Sequence, residues 1–172
     1  MEKIKAYTIS EQIFSNTAQA QTLLKNSSFG EKSGEKVVYS PFEAFYLMKE
    51  NKLELFNHRN KKLTKEETLK KFTKDKNFLT KYLVFKDLRK KGYIVKTALK
   101  FGAEFRVYDK GSKVKKSHSK WICFTTKENK STTWQDFTAK NRVAHSTKKN
   151  LLIAIVDDEN QISYFEVKWT RT

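Results

Sequence analysis

Cysteine is nearly absent. The chain has one, Cys123, in 172 residues, so neither an internal disulfide nor a cysteine-based zinc module can form. Proline and glycine are scarce, one and five residues, and little linker composition marks a domain boundary. Long apolar runs are missing as well. The longest aliphatic stretch covers residues 151–156, far short of the ~20 residues a membrane span needs. The first seven residues are too charged, and their apolar stretch too short, for a secretory signal. Acidic residues are outnumbered: 36 Lys and Arg face 19 Asp and Glu, a formal net charge of +17. The expectation is a soluble, intracellular, cytoplasmic protein that does not contact a membrane.

What is present is informative. A hydrophobic fraction of 38% with 13% aromatic residues is lean but too aromatic for a disordered chain. It allows two small cores rather than one large one. The positive surplus calls for a polyanion, and nucleic acid is the commonest inside a cell. Most of the surplus is lysine, which also fits a merely solvated surface. Residues 1–81 carry 16 basic and 10 acidic groups, and residues 82–172 carry 20 and 9. The C-terminal half is therefore the better polyanion binder.

The pattern along the chain is mixed. Residues 3–10 suit a strand, 17–26 a helix and 27–34 a loop, and Val37-Val38-Tyr39 is β-prone. Ser40-Pro41-Phe42-Glu43 starts a helix with Ser at N-cap, Pro at N1 and Glu at N3, a capping box. A strand at 52–57, a basic loop at 58–62 and a second capping box at Thr64-Lys65-Glu66-Glu67 follow. Phe78, Leu79, Tyr82, Leu83, Phe85 and Leu88 recur at helical spacing, and the helix stops at Arg89-Lys90-Lys91-Gly92. Strands are expected at 93–95, 103–108, 119–126, 151–156 and 161–169. A Gly/Ser/Lys loop is expected at 110–116, a helix at 136–148 and an acidic turn at 157–160. Together these predict a mixed α/β (α+β) fold with a small N-terminal domain at 1–79 and a second domain at 80–172.

Residues with chemical potential are few. His58 lies in a basic loop and reads as a bystander. His145 lies in a helix and reads as packed or hydrogen-bonded. His118 follows a basic loop and precedes a strand, a place from which a side chain can meet a ligand; on composition alone it too reads as a bystander. No zinc spacing, P-loop or dinucleotide fingerprint occurs. Cys123 lies in an apolar strand and reads as core. Asp157 and Asp158 end an apolar strand, and Glu166-Val167-Lys168 sits on the next. That order suits a Mg²⁺-dependent nuclease, and equally a hairpin with an exposed ion pair. A non-catalytic RNA-binding or assembly subunit is a third reading.

Longer blocks carry a resemblance. Tyr82-Leu83-Val84-Phe85-Lys86-Asp87-Leu88-Arg89-Lys90-Lys91-Gly92-Tyr93-Ile94-Val95-Lys96-Thr97 and Lys100-Phe101-Gly102-Ala103-Glu104-Phe105-Arg106-Val107-Tyr108 are two of them. His118-Ser119, Arg142-Val143-Ala144-His145-Ser146 and residues 149–158 follow in order. Nearly all of residues 82–172 resembles the archaeal tRNA-splicing endonuclease family, and residues 38–55 resemble its N-terminal domain more loosely. The resemblance implies a restriction-endonuclease-like nuclease domain at 80–172. It implies cleavage of precursor tRNA at both intron borders within a bulge-helix-bulge, with no cofactor or metal. The family's catalytic Tyr, His and Lys fall on Tyr108, His118 and Lys149, with Lys148 the neighbouring alternative. In that reading Tyr108 is the base, His118 the acid and Lys149 the cation. A free tyrosine is only about 0.1% ionised at neutral pH, so a nearby cation favouring tyrosinate is useful. Arg142 matches a family arginine that grips a flipped-out base. Asp157, Asp158 and Glu159 match a loop that enters a basic surface on a neighbouring subunit. A homotetramer, or a heterotetramer with a second structural subunit, is implied. Trp169 stays open between packing at the last strand and an interface.

Overall fold

The computed structural model describes residues 2–112, 114 and 117–170. Lys113, Lys115 and Lys116 of the expected 110–116 loop lie outside the described residues. The chain forms two compact units, Met1–Phe78 and Leu79–Thr172, each with a five-stranded sheet. Among the described residues no helix is long and apolar enough to cross a membrane.

The first unit contains β1 (Ile4–Ile9), β2 (Gln12–Ser15), α1 (Ala18–Ser27), β3 (Glu31–Ser33), β4 (Lys36–Tyr39), α2 (Pro41–Lys49), β5 (Leu53–Asn57) and α3 (Lys65–Phe72). Its sheet order is β3-β4-β2-β1-β5, with β1 and β5 parallel. Both expected capping boxes form, at Ser40/Glu43 and Thr64/Glu67. Glu43 does more than cap. One carboxylate oxygen accepts the Ser40 N–H at 3.0 Å, and the other accepts the Gly30 N–H at 2.9 Å. Gly30 has φ +78°, and a Cβ there would stand 2.4 Å from Val37 Cγ1. A glycine is required on both counts. The expected loop at 27–34 is corrected by β3, whose Glu31 pairs with Val38. All three β3 residues are exposed, so the strand lacks the inside–outside alternation that sequence reading detects. β2 was unexpected too. Phe42, Phe45, Phe72 and Phe78 build an aromatic cluster; Phe42 stacks on Phe78 at 5.1 Å.

The second unit follows from α4 (Phe78–Lys90), whose first residue still belongs to the first unit. Then come β6 (Ile94–Ala98), a 3₁₀ turn (Leu99–Phe101), β7 (Ala103–Tyr108), β8 (Trp121–Lys127), α5 (Trp134–Ser146), β9 (Asn150–Val156) and β10 (Ile162–Val167). The sheet order is β10-β9-β8-β7-β6. Every pairing is antiparallel except β8 with β9, whose crossover carries α5. Register assigns the faces. Phe105, Cys123 and Tyr164 share the face of α4: Phe85 meets Phe105 at 5.9 Å, and Tyr164 donates to Asp87 at 2.7 Å. Ile122, Phe124 and Leu151 share the other face and pack with Ala144 of α5. Cys123 is fully buried, as expected, and burial with the charge of Glu104 pushes its thiol far above the ordinary range. The mixed α/β fold expected from the sequence is the one observed.

Boundaries shift at several places; β6 runs on to Ala98 rather than 95, and β8 starts at Trp121 rather than 119. α5 starts at Trp134, because Thr133 is its N-cap and accepts the Asp136 N–H at 3.1 Å. It ends at Ser146 rather than 148. The last strand stops at Val167 rather than 169.

Candidate active site

Topology gathers three of the expected residues at one end of the second sheet. Tyr108 ends β7. Because β8 runs antiparallel to β7, its start lies beside that end: Val107 pairs with Trp121, and the Lys120 N–H donates to Val107 O at 2.9 Å. His118 lies just before this start and is exposed. Because β9 runs parallel to β8, its start lies there as well: Trp121 pairs with Asn150, and the Asn150 N–H donates to Lys120 O at 3.1 Å. Lys149 immediately precedes it. Tyr108 is only 4% exposed and by alternation shares the α5 face with Glu104 and Arg106.

The end of α5 aims Lys149. Lys148 adopts φ 56°. Its N–H donates to His145 O at 2.9 Å, and the Lys149 N–H donates to Ala144 O at 2.9 Å. This is a Schellman turn with lysine where glycine is usual. It reverses the chain and delivers Lys149 straight into β9. Lys149 Nζ donates to Thr147 O at 2.8 Å and lies 6.0 Å from the Phe101 ring centroid. Partial burial, together with the charges of Arg106 and Lys100, holds its ammonium below the usual lysine range. Arg106 Nε donates to Thr97 O at 3.2 Å. This end of the sheet therefore carries a tyrosine, a histidine and several cations. It can move protons and stabilise an anion.

The same end is tied across three strands by Glu166. One of its oxygens accepts from Trp121 Nε1 at 3.1 Å and from Asn150 Nδ2 at 2.6 Å. Desolvation opposes its charge, but these bonds and the charges of Lys168 and Lys120 hold the carboxyl below the usual range.

The whole chain is similar to known proteins. Residues 78–164 match the family model described as tRNA intron endonuclease, catalytic C-terminal domain, and residues 4–69 match its N-terminal domain. A tRNA-splicing endonuclease of Pyrococcus abyssi is 39% identical over 170 residues, 98% of this chain and 97% of the relative. That of Thermococcus onnurineus is 40% identical over 172 residues, covering 99% and 98%. That of Nanoarchaeum equitans is 46% identical over 136 residues, covering 75% and 86%. The chain belongs to the tRNA intron endonuclease family. Membership supports tRNA intron cleavage as its activity.

The remaining residues noted in the sequence fall elsewhere. Arg142 is exposed on α5. Asp157, Asp158 and Glu159 turn β9 into β10, at the end of β9 opposite Lys149. Asp157 Oδ1 accepts the Gln161 N–H at 2.7 Å, and Asn160 takes φ 64° to close the turn. The alternative carboxylate site is not assembled. Val156 pairs with Ile162 and Leu152 with Glu166, so Asp157 and Glu166 are separated by about 13 Å or more along the hairpin. Among the described residues no three His, Cys, Asp or Glu side chains cluster as metal ligands. His58 is exposed in its loop. His145 is exposed but packed, its ring stacking on Trp169 at 5.0 Å with 28° between planes. That contact gives Trp169 one packing partner. Lys100, Phe101 and Arg106 were not singled out from the sequence of this family member. Alternation placing Arg106 beside Tyr108 was the available signal.

Proposed function

We propose that the chain is an endoribonuclease cutting precursor tRNA at both intron borders of a bulge-helix-bulge, leaving a 2′,3′-cyclic phosphate and a 5′-OH. The convergence of the β7 end with the β8 and β9 starts carries this reading. RNA supplies its own nucleophile, the 2′-OH. Tyr108 takes its proton, the oxygen attacks phosphorus, and His118 protonates the leaving 5′-oxygen. Lys149 stabilises the charge that builds on the phosphoryl oxygens. This scheme closes without a metal or other cofactor. The chemistry is assigned to the domain at 80–172, and the domain at 1–79 supports it.

Arg142 stacks on an unpaired bulge base, a mode of RNA recognition open to a planar guanidinium. Two bulges held a fixed distance apart need two sites, so the working particle is a tetramer. It consists either of four copies or of two copies with two structural partners. The turn of Asp157, Asp158 and Glu159 docks on a basic surface of a neighbouring subunit. Its position away from Tyr108, His118 and Lys149 leaves it available for assembly.

The test is cleavage of a bulge-helix-bulge RNA by the purified chain in excess EDTA, with both ends mapped. Cutting at both bulges to give cyclic phosphate and 5′-OH is expected. Cutting only when Mg²⁺ is restored overturns the Tyr108/His118/Lys149 scheme. No cutting under either condition overturns the sufficiency of this chain alone.

A further inference from the structure

One aromatic ring in the second unit is shared by two ammoniums. Lys100 Nζ lies 5.2 Å from the Phe101 centroid and Lys149 Nζ lies 6.0 Å from it, so the two are no more than 11.2 Å apart. The ring itself is anchored. It packs against the cluster of Ala98, Ala103, Ile122, Phe124, Ala144 and Leu151, and the 3₁₀ turn that carries it closes through Gly102 at φ 67°. Lys100 is exposed on that turn. Among the described residues neither Lys100 nor Lys149 has a carboxylate within ion-pair distance. Arg106 adds a third cation from β7, and the positive charges of Arg106 and Lys100 bear on Lys149. Lys100 and Lys149, like charges without a carboxylate between them, are held at a cost. An anion entering among them removes it.

We propose that Lys100, Phe101 and Lys149 form one phosphate-holding unit, in which Phe101 positions both ammoniums and Lys100 contacts an RNA backbone phosphate next to the one being cut. The proposal rests on the reading that Lys149 acts at the scissile phosphate. A ring face attracts each ammonium, and its rigid seat restricts two otherwise flexible side chains. Each ammonium then meets a phosphate as a compact point charge. Phe101 is thus a positioning residue and Lys100 a binding residue. Neither takes part in proton transfer.

Two measurements test it on the intact chain. The first is binding of a bulge-helix-bulge RNA with 2′-deoxy at the cut sites, titrated with salt. Lys100→Gln is expected to weaken binding and to lower the log–log salt slope by about 0.7–0.9, the value of one phosphate contact. Lys100→Arg is expected to restore the slope. The second is single-turnover cleavage at saturating enzyme. Phe101→Leu is expected to slow it about 3- to 30-fold, the range spanned by a cation–π contact, while Phe101→Tyr stays near the parent. An unchanged slope in Lys100→Gln overturns the binding role. A Phe101→Leu enzyme as fast as the parent, or a Phe101→Tyr enzyme as slow as Phe101→Leu, overturns the positioning role. Lys149→Ala is the control. If it cleaves like the parent, the underlying reading of Lys149 fails. If it is slow while the Lys100 and Phe101 variants match the parent, only the present proposal fails.

Discussion

Tyr108 presents the sharpest residue-scale test. The residue is buried, so Tyr108→Phe keeps the packing and removes only the hydroxyl. Single-turnover cleavage should fall by roughly 10²–10⁴-fold if the hydroxyl is the base, with the melting temperature nearly unchanged. His118→Ala should behave alike, since the residue is exposed and supports no core. Rate loss without loss of fold is the outcome that matters; unchanged rates in both variants sink the assigned roles. Glu104 gives a stability test at the same scale. Burial raises its carboxyl above the usual 4.5, outweighing the Thr125 N–H bond and the charges of Lys81 and Lys140 that lower it. The folded state therefore binds the proton more tightly than the unfolded one. Stability falls as pH rises from about 4.5 through the raised value. Glu104→Gln keeps an acceptor for Thr125 and removes the titration. It should melt higher than the parent at pH 7, and the advantage should vanish near pH 4.

At the scale of elements, the turn after α5 separates two adjacent lysines. Lys148 holds a left-handed backbone and closes the Schellman turn, whereas Lys149 points its ammonium at Thr147 O and the Phe101 ring. An L-residue at such φ costs about 1–2 kcal/mol, part of which glycine loses again through backbone entropy. Lys148→Gly should thus stabilise the chain by about 0.5–1 kcal/mol, or roughly 1–4 °C in melting temperature. Cleavage should survive it. Collapse of activity in Lys148→Gly with none in Lys149→Ala would reverse the choice between them. In the first unit, Glu43 joins the start of α2 to the loop at Gly30 through two backbone N–H groups. Glu43→Ala leaves both donors without that carboxylate and should cost about 2–4 kcal/mol in a denaturant titration. The sequence announced the capping box, because Ser and Glu stand three apart. It did not announce the bond to Gly30, which depends on where a distant loop returns. β3 escaped notice for a related reason: it is held by its ladder to β4 and buries nothing.

For the whole molecule, charge decides how RNA is held. With +17 overall and the larger surplus in residues 82–172, binding should weaken steeply with salt, each phosphate contact adding about 0.7–0.9 to the log–log slope. A slope near zero would remove phosphate contact as the source of affinity. Reversing Asp158 and Glu159 to lysine, with Asp157 kept for its bond to the Gln161 N–H, should lower the native mass in light scattering while the isolated chain keeps its melting temperature. An unchanged mass would remove the turn from assembly. The sequence by itself determined most element types (β2 and β3 excepted), the capping boxes, the burial of Cys123 and the family, because these are written in local spacing or in ordered blocks. It could name Tyr108, His118 and Lys149 only through that family likeness. Their separations of 10 and 31 residues carry no physical statement about distance. Tertiary structure alone decided that the three positions fall at one end of one sheet, since β8 pairs antiparallel with β7 but parallel with β9, across the α5 crossover. The same pairing placed Asp157 and Glu166 apart along one hairpin and gave Phe101 two lysines. Strand direction and register are properties of the assembled sheet, and no single stretch of the chain contains them.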